Sequence, residues 1–188
     1  MTGREQFNRN KKIILFCIRI VSLLPMFIRK FIWDWSSRYS QVIFVAIRYI
    51  ILKSMIKQCG DNVKVGTNVQ ILGWEKLVMG SNVSIHSNCY IDAHGGIIIA
   101  DNVSIAHNTT VLSTNHTWGD LNIPIKYNEL HCNPVQVQSD VWIGCGVRIL
   151  AGVTIESRSI VAAGAVVNAN VLSHSIVGGV PAKKIKQI

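Results

Sequence analysis

The sequence predicts a mainly β protein, a left-handed parallel β-helix with an N-terminal helical segment. Three signals predict it: an aliphatic residue on a six-residue period from Val65 onward, a mostly small residue four positions after each leader, and Asn, Asp or Gly at the position between them. The leaders are Val65, then Met79, Ile85 and Ile91, then Ile99, Ile105 and Val111, then Val137, Ile143, Ile149, Ile155, Val161 and Val167. The second signal falls on Val69, Val83, Cys89, Gly95, Val103, Thr109, Asn115, Val141, Val147, Val153, Ser159, Ala165 and Val171. The third falls on Asn68, Asn82, Asn88, His94, Asn102, Asn108, Thr114, Asp140, Gly146, Gly152, Arg158, Gly164 and Asn170.

Ten of those thirteen turn positions are Asn, Asp or Gly, the residues that accept a positive φ most readily. A left-handed bend every six residues turns short strands through successive corners, and three strands close one coil of about eighteen residues. The leader and the small residue then point inward, so stacked coils bury one continuous apolar column. An α-helix needs a period of 3.6 and does not tolerate Gly or Asn at every sixth position. A β-sandwich would place irregular turns every eight to twelve residues.

The rhythm breaks at 73–78, at Gly95-Gly96 and, most extensively, at about 116–136. A long excursion inside a regular array is the expected functional loop. The chain is therefore expected to divide into a helical segment, 1–58, and a β-helical domain, 59–188, that carries this loop.

The N-terminal segment holds two apolar stretches, Ile13–Ile28 and Val42–Ile56. Neither is a clean spanning helix, because the first carries Arg19 and Pro25 and the second Arg48 and Lys53. No small-residue cleavage site follows the first stretch, which argues against a signal peptide. The expectation is two helices on a membrane interface, with Trp33, Trp35 and Tyr39 as interfacial residues and Arg29 and Lys30 at anionic headgroups. The alternative is that these helices pack on one another or on a neighbouring subunit. Charge supports a local role: residues 1–57 hold eleven Lys/Arg against two Asp/Glu, whereas 58–188 hold eight of each.

High apolar content and low charge exclude a disordered chain. Five cysteines, with no C-x-x-C spacing, argue against a disulfide framework or a zinc site and fit a reducing cytoplasm. No three-histidine arrangement, Gly-rich phosphate loop or nucleic-acid signature is visible, so neither a metal nor a nucleic-acid partner is expected.

Three segments now carry a resemblance: Val141-Trp142-Ile143-Gly144, Ala163-Gly164-Ala165-Val166-Val167, and the terminal Ile176-Val177-Gly178-Gly179-Val180-Pro181-Ala182-Lys183-Lys184-Ile185. With Leu112-Ser113-Thr114-Asn115-His116 they resemble the hexapeptide-repeat O-acetyltransferases of the maltose and galactoside type, over roughly residues 60–188. The basic, apolar N-terminal third looks more like the branch that acts on bacterial surface polysaccharides.

The resemblance implies acetyl-CoA as acyl donor, a sugar or glycan hydroxyl as acceptor, and a homotrimer with active sites in clefts between neighbouring subunits. It implies His116 as general base, in direct transfer without an acyl-enzyme, and Glu129 as the group that orients it. Chemically, a sugar hydroxyl is too weak an acid to attack a thioester unaided, and neutral imidazole can take its proton. Asn88 and Asp92 match positions that hydrogen-bond the acceptor. His94 is a second candidate beside Asp92, and His107 sits in a turn near the same cleft; His86, His131 and His174 read as structural or exposed. For coenzyme A, the resemblance points to Trp142, the Gly144–Cys145 backbone as oxyanion donor, the small Ala162, and Lys183 with Lys184 for phosphates. Cys132 lies on the excursion without a recognisable activating neighbour.

The functional expectation is an O-acetyltransferase at the inner face of the plasma membrane, acting on a surface polysaccharide or its precursor. N-acetylation of an amino-sugar nucleotide and a non-catalytic β-helix scaffold are the alternatives.

Overall fold

A computed structural model describes residues 3–188. Short parallel strands stack in three faces of a β-solenoid. The first face holds Gln58–Cys59, Leu77–Met79, Ile97–Ile99, Val135–Val137 and Thr154–Ile155. The second holds Lys64–Val65, Ser84–Ile85, Ser104–Ile105, Trp142–Ile143, Ile160–Val161 and Ser175–Gly178. The third holds Gln70–Leu72, Tyr90–Asp92, Thr110–Leu112, Arg148–Ile149 and Val166–Val167. A final strand, Lys183–Gln187, folds back antiparallel on Ser175–Gly178.

The corners follow the turn rule closely. Asn68, Asn82, Asn88, Asn102, Asn108 and Asp140 all bend with φ of 53–61°. Gly146, Gly152 and Gly164 take the same sense, and so does Arg158 at φ 57°. Arg158 is the costly member, because its Cβ crowds the left-handed region. Its guanidinium meets Asp140 at the same corner of the preceding coil, at 2.8 Å. Asn170, Thr114 and His94 are not left-handed. Asn170 instead accepts a hydrogen bond from the Thr154 amide at 2.8 Å.

Every leader from Val65 to Val167 is buried. Each fully buried aliphatic of this kind stabilises the fold by about 1.5–3 kcal/mol relative to exposure. The small-residue signal is inward as well, except at Gly95 and Asn115, which lie where the chain leaves the coil to build a larger corner.

The coil length corrects the eighteen-residue expectation. Lys64 pairs with Ser84 and Ser84 with Ser104, a repeat of 20 residues. Trp142 pairs with Ile160, a repeat of 18. The extra residues, 73–76 and 93–96, sit at the corner between the third and first faces, and the long excursion leaves from that same corner one coil on.

The N-terminal segment forms three helices where two apolar stretches suggested two: α1 Gly3–Ser22, α2 Met26–Ser36 and α3 Val42–Met55. Pro25 divides the first stretch; it has no N–H to donate and occupies the N-cap of α2. The helices pack on the first coil. Trp33 is buried, meets Trp74 edge-on at 4.9 Å and donates from Nε1 to the Val69 carbonyl. Arg48 is fully buried and donates to the carbonyls of Val65, Ser36 and Tyr39. Burial lowers the Arg48 pKa from its usual value.

Asp61 receives Lys53 at 3.0 Å and Lys11 from α1. Hydrogen bonds from Lys11 and Lys53 hold the Asp61 carboxyl below its usual range, against the opposing effect of burial. Burial opposes the charge on Lys53, but Tyr49 and Asp61 outweigh it and raise its pKa.

The signs give a two-sided pH window. Asp61 is depressed, so its stabilisation is present above the ordinary carboxylate value of 3.8 and is lost as pH falls below it. Lys53 is raised, so its stabilisation is complete below 10.5 and is lost as pH climbs past its folded value. Thermal unfolding followed by circular dichroism should show the midpoint falling at both extremes. In Asp61→Asn the acid-side loss should flatten; an unchanged acid limb would assign acid unfolding to other carboxylates.

Candidate active site

The excursion begins at a rigid root. The Gly95 amide donates to the Ser113 hydroxyl at 2.8 Å, and Ser113 donates in turn to the Asp92 carbonyl. The Asn133 amide closes the base on the Ser113 carbonyl at 2.9 Å. Thr114–His116 then pairs antiparallel with Leu130–Cys132, setting His116 opposite Leu130.

Beyond this ribbon, Asn128 organises the tip. Its amide nitrogen reaches the carbonyls of Asp120, Ile123 and Pro124, and its oxygen accepts the Asp120 amide. Asn128 is the one buried polar residue of the excursion among the described residues. Sequence reasoning did not single it out, since an Asn in a loop is ordinary until its partners are known.

His116 stands exposed beside a surface concavity of about 590 Å³, lined also by Asn115, Thr117, Trp118, Gly119 and His131. Glu129 is next to this ribbon. Its carbonyl accepts both the amide and the hydroxyl of Thr117, at 3.2 and 2.7 Å. Among the described residues no hydrogen bond joins its carboxylate to His116.

Asp92 is the convergence point at this corner. One carboxylate oxygen meets His94 Nδ1 at 2.7 Å and the other accepts the Thr114 hydroxyl at 3.0 Å. Burial opposes ionisation of Asp92, yet the His94 amide, the His94 ring and Thr114 together outweigh it and hold the carboxyl below its usual range. Asp92, His94 and the root of the His116 strand thus form one hydrogen-bonded unit. Asn88 is not part of it. It sits exposed at the corner between the second and third faces, near the turn of His107.

The residues expected to bind coenzyme A also gather away from His116. Trp142 lies on the second face with 55% of its surface exposed. Gly144 is wedged: a Cβ there would meet the Ala163 nitrogen at 2.6 Å. Its amide is committed to the Val161 carbonyl at 2.8 Å, whereas the Cys145 amide has no hydrogen-bond partner among the described residues. The corner past Cys145 is open, because a Cβ on Gly146 or Gly164 would meet nothing within 4 Å. Ala162 is half-buried on the next coil, and Lys183 is exposed on the returning strand. Trp142 borders a concavity that it shares with Asp140, Arg158 and Ile160.

Two cysteines are inert by burial. Desolvation pushes the Cys59 thiol up to about 12 and raises Cys89 as well. No group of three or more His, Cys, Asp or Glu side chains is arranged to hold a metal ion among the described residues.

Residues 134–169 match the family described as bacterial transferase hexapeptide (six repeats). Over that stretch the chain carries the hexapeptide repeat. Its solenoid is similar to a hexapeptide-repeat acetyltransferase of Vibrio cholerae solved with acetyl-coenzyme A, at 29% identity, a TM-score of 0.74 and coverage of 82% of each chain. It is similar to a galactoside acetyltransferase solved with coenzyme A, at 29% identity and a TM-score of 0.75, over 83% of this chain and 77% of that one. Among curated sequences, a 2,3,4,5-tetrahydropyridine-2,6-dicarboxylate N-acetyltransferase of Enterococcus faecalis is 49% identical over 55 residues, 29% of this chain and 24% of that protein. The matched stretch spans about a quarter of the length of such relatives.

The root geometry of the excursion is open to test. Asp92→Ala removes the charged acceptor of both His94 and Thr114, and a hydrogen bond to a charged group contributes about 1.5–3 kcal/mol. Amide exchange across Thr114–His116 should then quicken by roughly tenfold or more, with core-strand protection unchanged. Unaltered exchange would show that the ribbon is held by its backbone alone.

Proposed function

We propose that the protein is an acetyl-CoA-dependent acetyltransferase that esterifies a sugar hydroxyl, with His116 as general base. The observation that carries this reading is an exposed histidine on a structured excursion at one edge of a solenoid that it shares with acetyltransferases solved with acetyl-CoA or CoA.

In this reaction the His116 imidazole takes the acceptor's proton as its oxygen bonds to the thioester carbonyl carbon. The Cys145 amide, which has no partner among the described residues, donates to the oxyanion that forms. As the carbon–sulfur bond breaks, the imidazolium returns its proton to the departing thiolate. Neutral imidazole is regenerated and no acyl-enzyme is needed.

In one chain, His116 and the Trp142–Cys145 wall stand at different edges. A site that joins them takes each from a different copy, which supports the homotrimer that the resemblance implies. Apolar side chains on the excursion, Trp118, Leu121 and Ile125 among them, are exposed in the single chain and would be covered in such a cleft. The acceptor would be a surface polysaccharide or its precursor. N-acetyltransferases among the relatives keep an amine acceptor as the rival chemistry.

A second assignment of the base is favoured by the Asp92–His94 contact at 2.7 Å, since a carboxylate that fixes one ring nitrogen leaves the other free to accept a proton. Thiol release from acetyl-CoA, measured with sugars, sugar nucleotides and amino-sugar nucleotides as acceptors, separates the cases. With His116 as base, His116→Ala lowers kcat by about 10²–10⁴-fold while His94→Ala retains most activity. The reverse pattern moves the base to His94. Transfer only to amines overturns O-acetylation, and no release together with no CoA binding leaves a scaffold. Light scattering should report three chains per particle.

A further inference from the structure

We propose that the outer faces of α1 and α2 dock on a lipid surface rich in anionic headgroups. The proposal stands independently of the reaction, since it concerns where the enzyme sits.

Each helix carries two apolar stripes. On α1 the inner stripe, with Ile14, Ile18 and Val21, packs on the buried core. The outer stripe, Phe16, Ile20 and Leu23, is left uncovered, with Leu23 at 84% exposure. On α2, Trp33 faces inward while Phe27, Phe31 and Trp35 recur every four residues on the outside, the first two at 72% and 71% exposure. Spacings of three and four residues put each set on one side of its helix. The Lys11–Asp61 contact ties α1 to the first coil.

Charge identifies the occupant. All of the net positive charge of the chain lies in residues 1–57, eleven Lys/Arg against two Asp/Glu. Lys11, Arg29, Arg48 and Lys53 are spent on internal partners. Arg9, Lys12, Arg19 and Lys30 are exposed. By helical spacing Arg9 falls in line with Phe16 and Ile20, and Lys12 and Arg19 fall beside that line. Cations around an apolar stripe match the headgroup and acyl boundary of an anionic leaflet. The excess of cations sits on α1, since α2 sets Asp34 near Lys30; the excursion's nearest charges, Asp120, Lys126 and Glu129, carry no cationic excess. No described helix is long and apolar enough to cross a membrane, so the helices would lie in the interface plane.

Flotation of the full chain tests this, with vesicles of phosphatidylglycerol and phosphatidylethanolamine beside vesicles of phosphatidylcholine. The protein should float with the anionic vesicles, less so at high salt, and only weakly with phosphatidylcholine. Phe27→Ser with Phe31→Ser should lower the partition coefficient by roughly tenfold or more, as two exposed aromatic anchors are lost. Arg9→Gln with Lys12→Gln and Arg19→Gln should lower it on the order of a hundredfold for anionic vesicles alone. Quenching of wild-type tryptophan emission by brominated lipid reads insertion without any substitution. Thiol release with a soluble acceptor should be unchanged in both variants, which separates failure of docking from failure of the catalytic reading. No flotation with either vesicle overturns the proposal. So does a change in particle mass in the Phe variant without lipid, which would make the face a subunit contact.

Discussion

The structure depends on one backbone constraint, a left-handed residue at nearly every corner of the solenoid. A corner residue with φ near 60° reverses the chain tightly enough for three short strands to close a coil. Closure brings each strand over its counterpart in the preceding coil, and the parallel ladders on all three faces fix the register. A slip of one residue would turn a whole set of leaders from the core to solvent. Extra residues can therefore enter only where they leave the ladders intact. The enlarged corners at 73–76 and 93–96 and the excursion meet that condition at a single edge. The first two make a graded platform of coils of 20 residues, and the third projects the ribbon that carries His116.

This explains which parts of the molecule were legible in the sequence. The six-residue period exposed the solenoid because every coil repeats the same steric demand. Arg158 shows the limit of that reading: composition favoured Asn170 as a left-handed corner, yet Arg158 takes the conformation and Asn170 does not. Coil length was misread because the two-residue additions at Gly73 and Gly95 interrupt the period without removing a leader from the core. On the excursion, His116 was visible because it stands at the mouth of the break that follows Val111 and matches the histidine of the family it resembles. Asn128, which holds the tip together, was not. Its role comes from four contacts within the loop that no spacing announces. The Asp92–His94 contact lay between, since the two residues are close in sequence but their alignment depends on the widened corner.

The N-terminal helices solve the problem that any solenoid has at its first coil, an apolar column open to water. Trp33, Leu52 and Met55 join the core. Arg48 reaches between the helices and the coil to bond carbonyls from both, which a buried guanidinium must do to offset its desolvation. Buried carbonyls of α2 and of the first coil are thereby satisfied by one side chain. The seal uses only the inner stripes, so the outer ones owe their composition to some other demand. That separation is why charge and exposure, and not core packing, decide what covers them.

The same division of labour applies at the edge that carries His116. A ladder that runs along three faces cannot fold over a substrate without losing its register. His116 and the Asp92–His94 pair stand at the widened corner, and Trp142 with the open Gly146 and Gly164 corner stands elsewhere on the same solid. Bending the coil to bring them together would break the register that the whole fold depends on. Packing two copies side by side would bring one chain's corner to another's face at no cost to either ladder. Under the proposed reading, the regularity that makes the fold stable would be the physical reason for a site assembled between two copies.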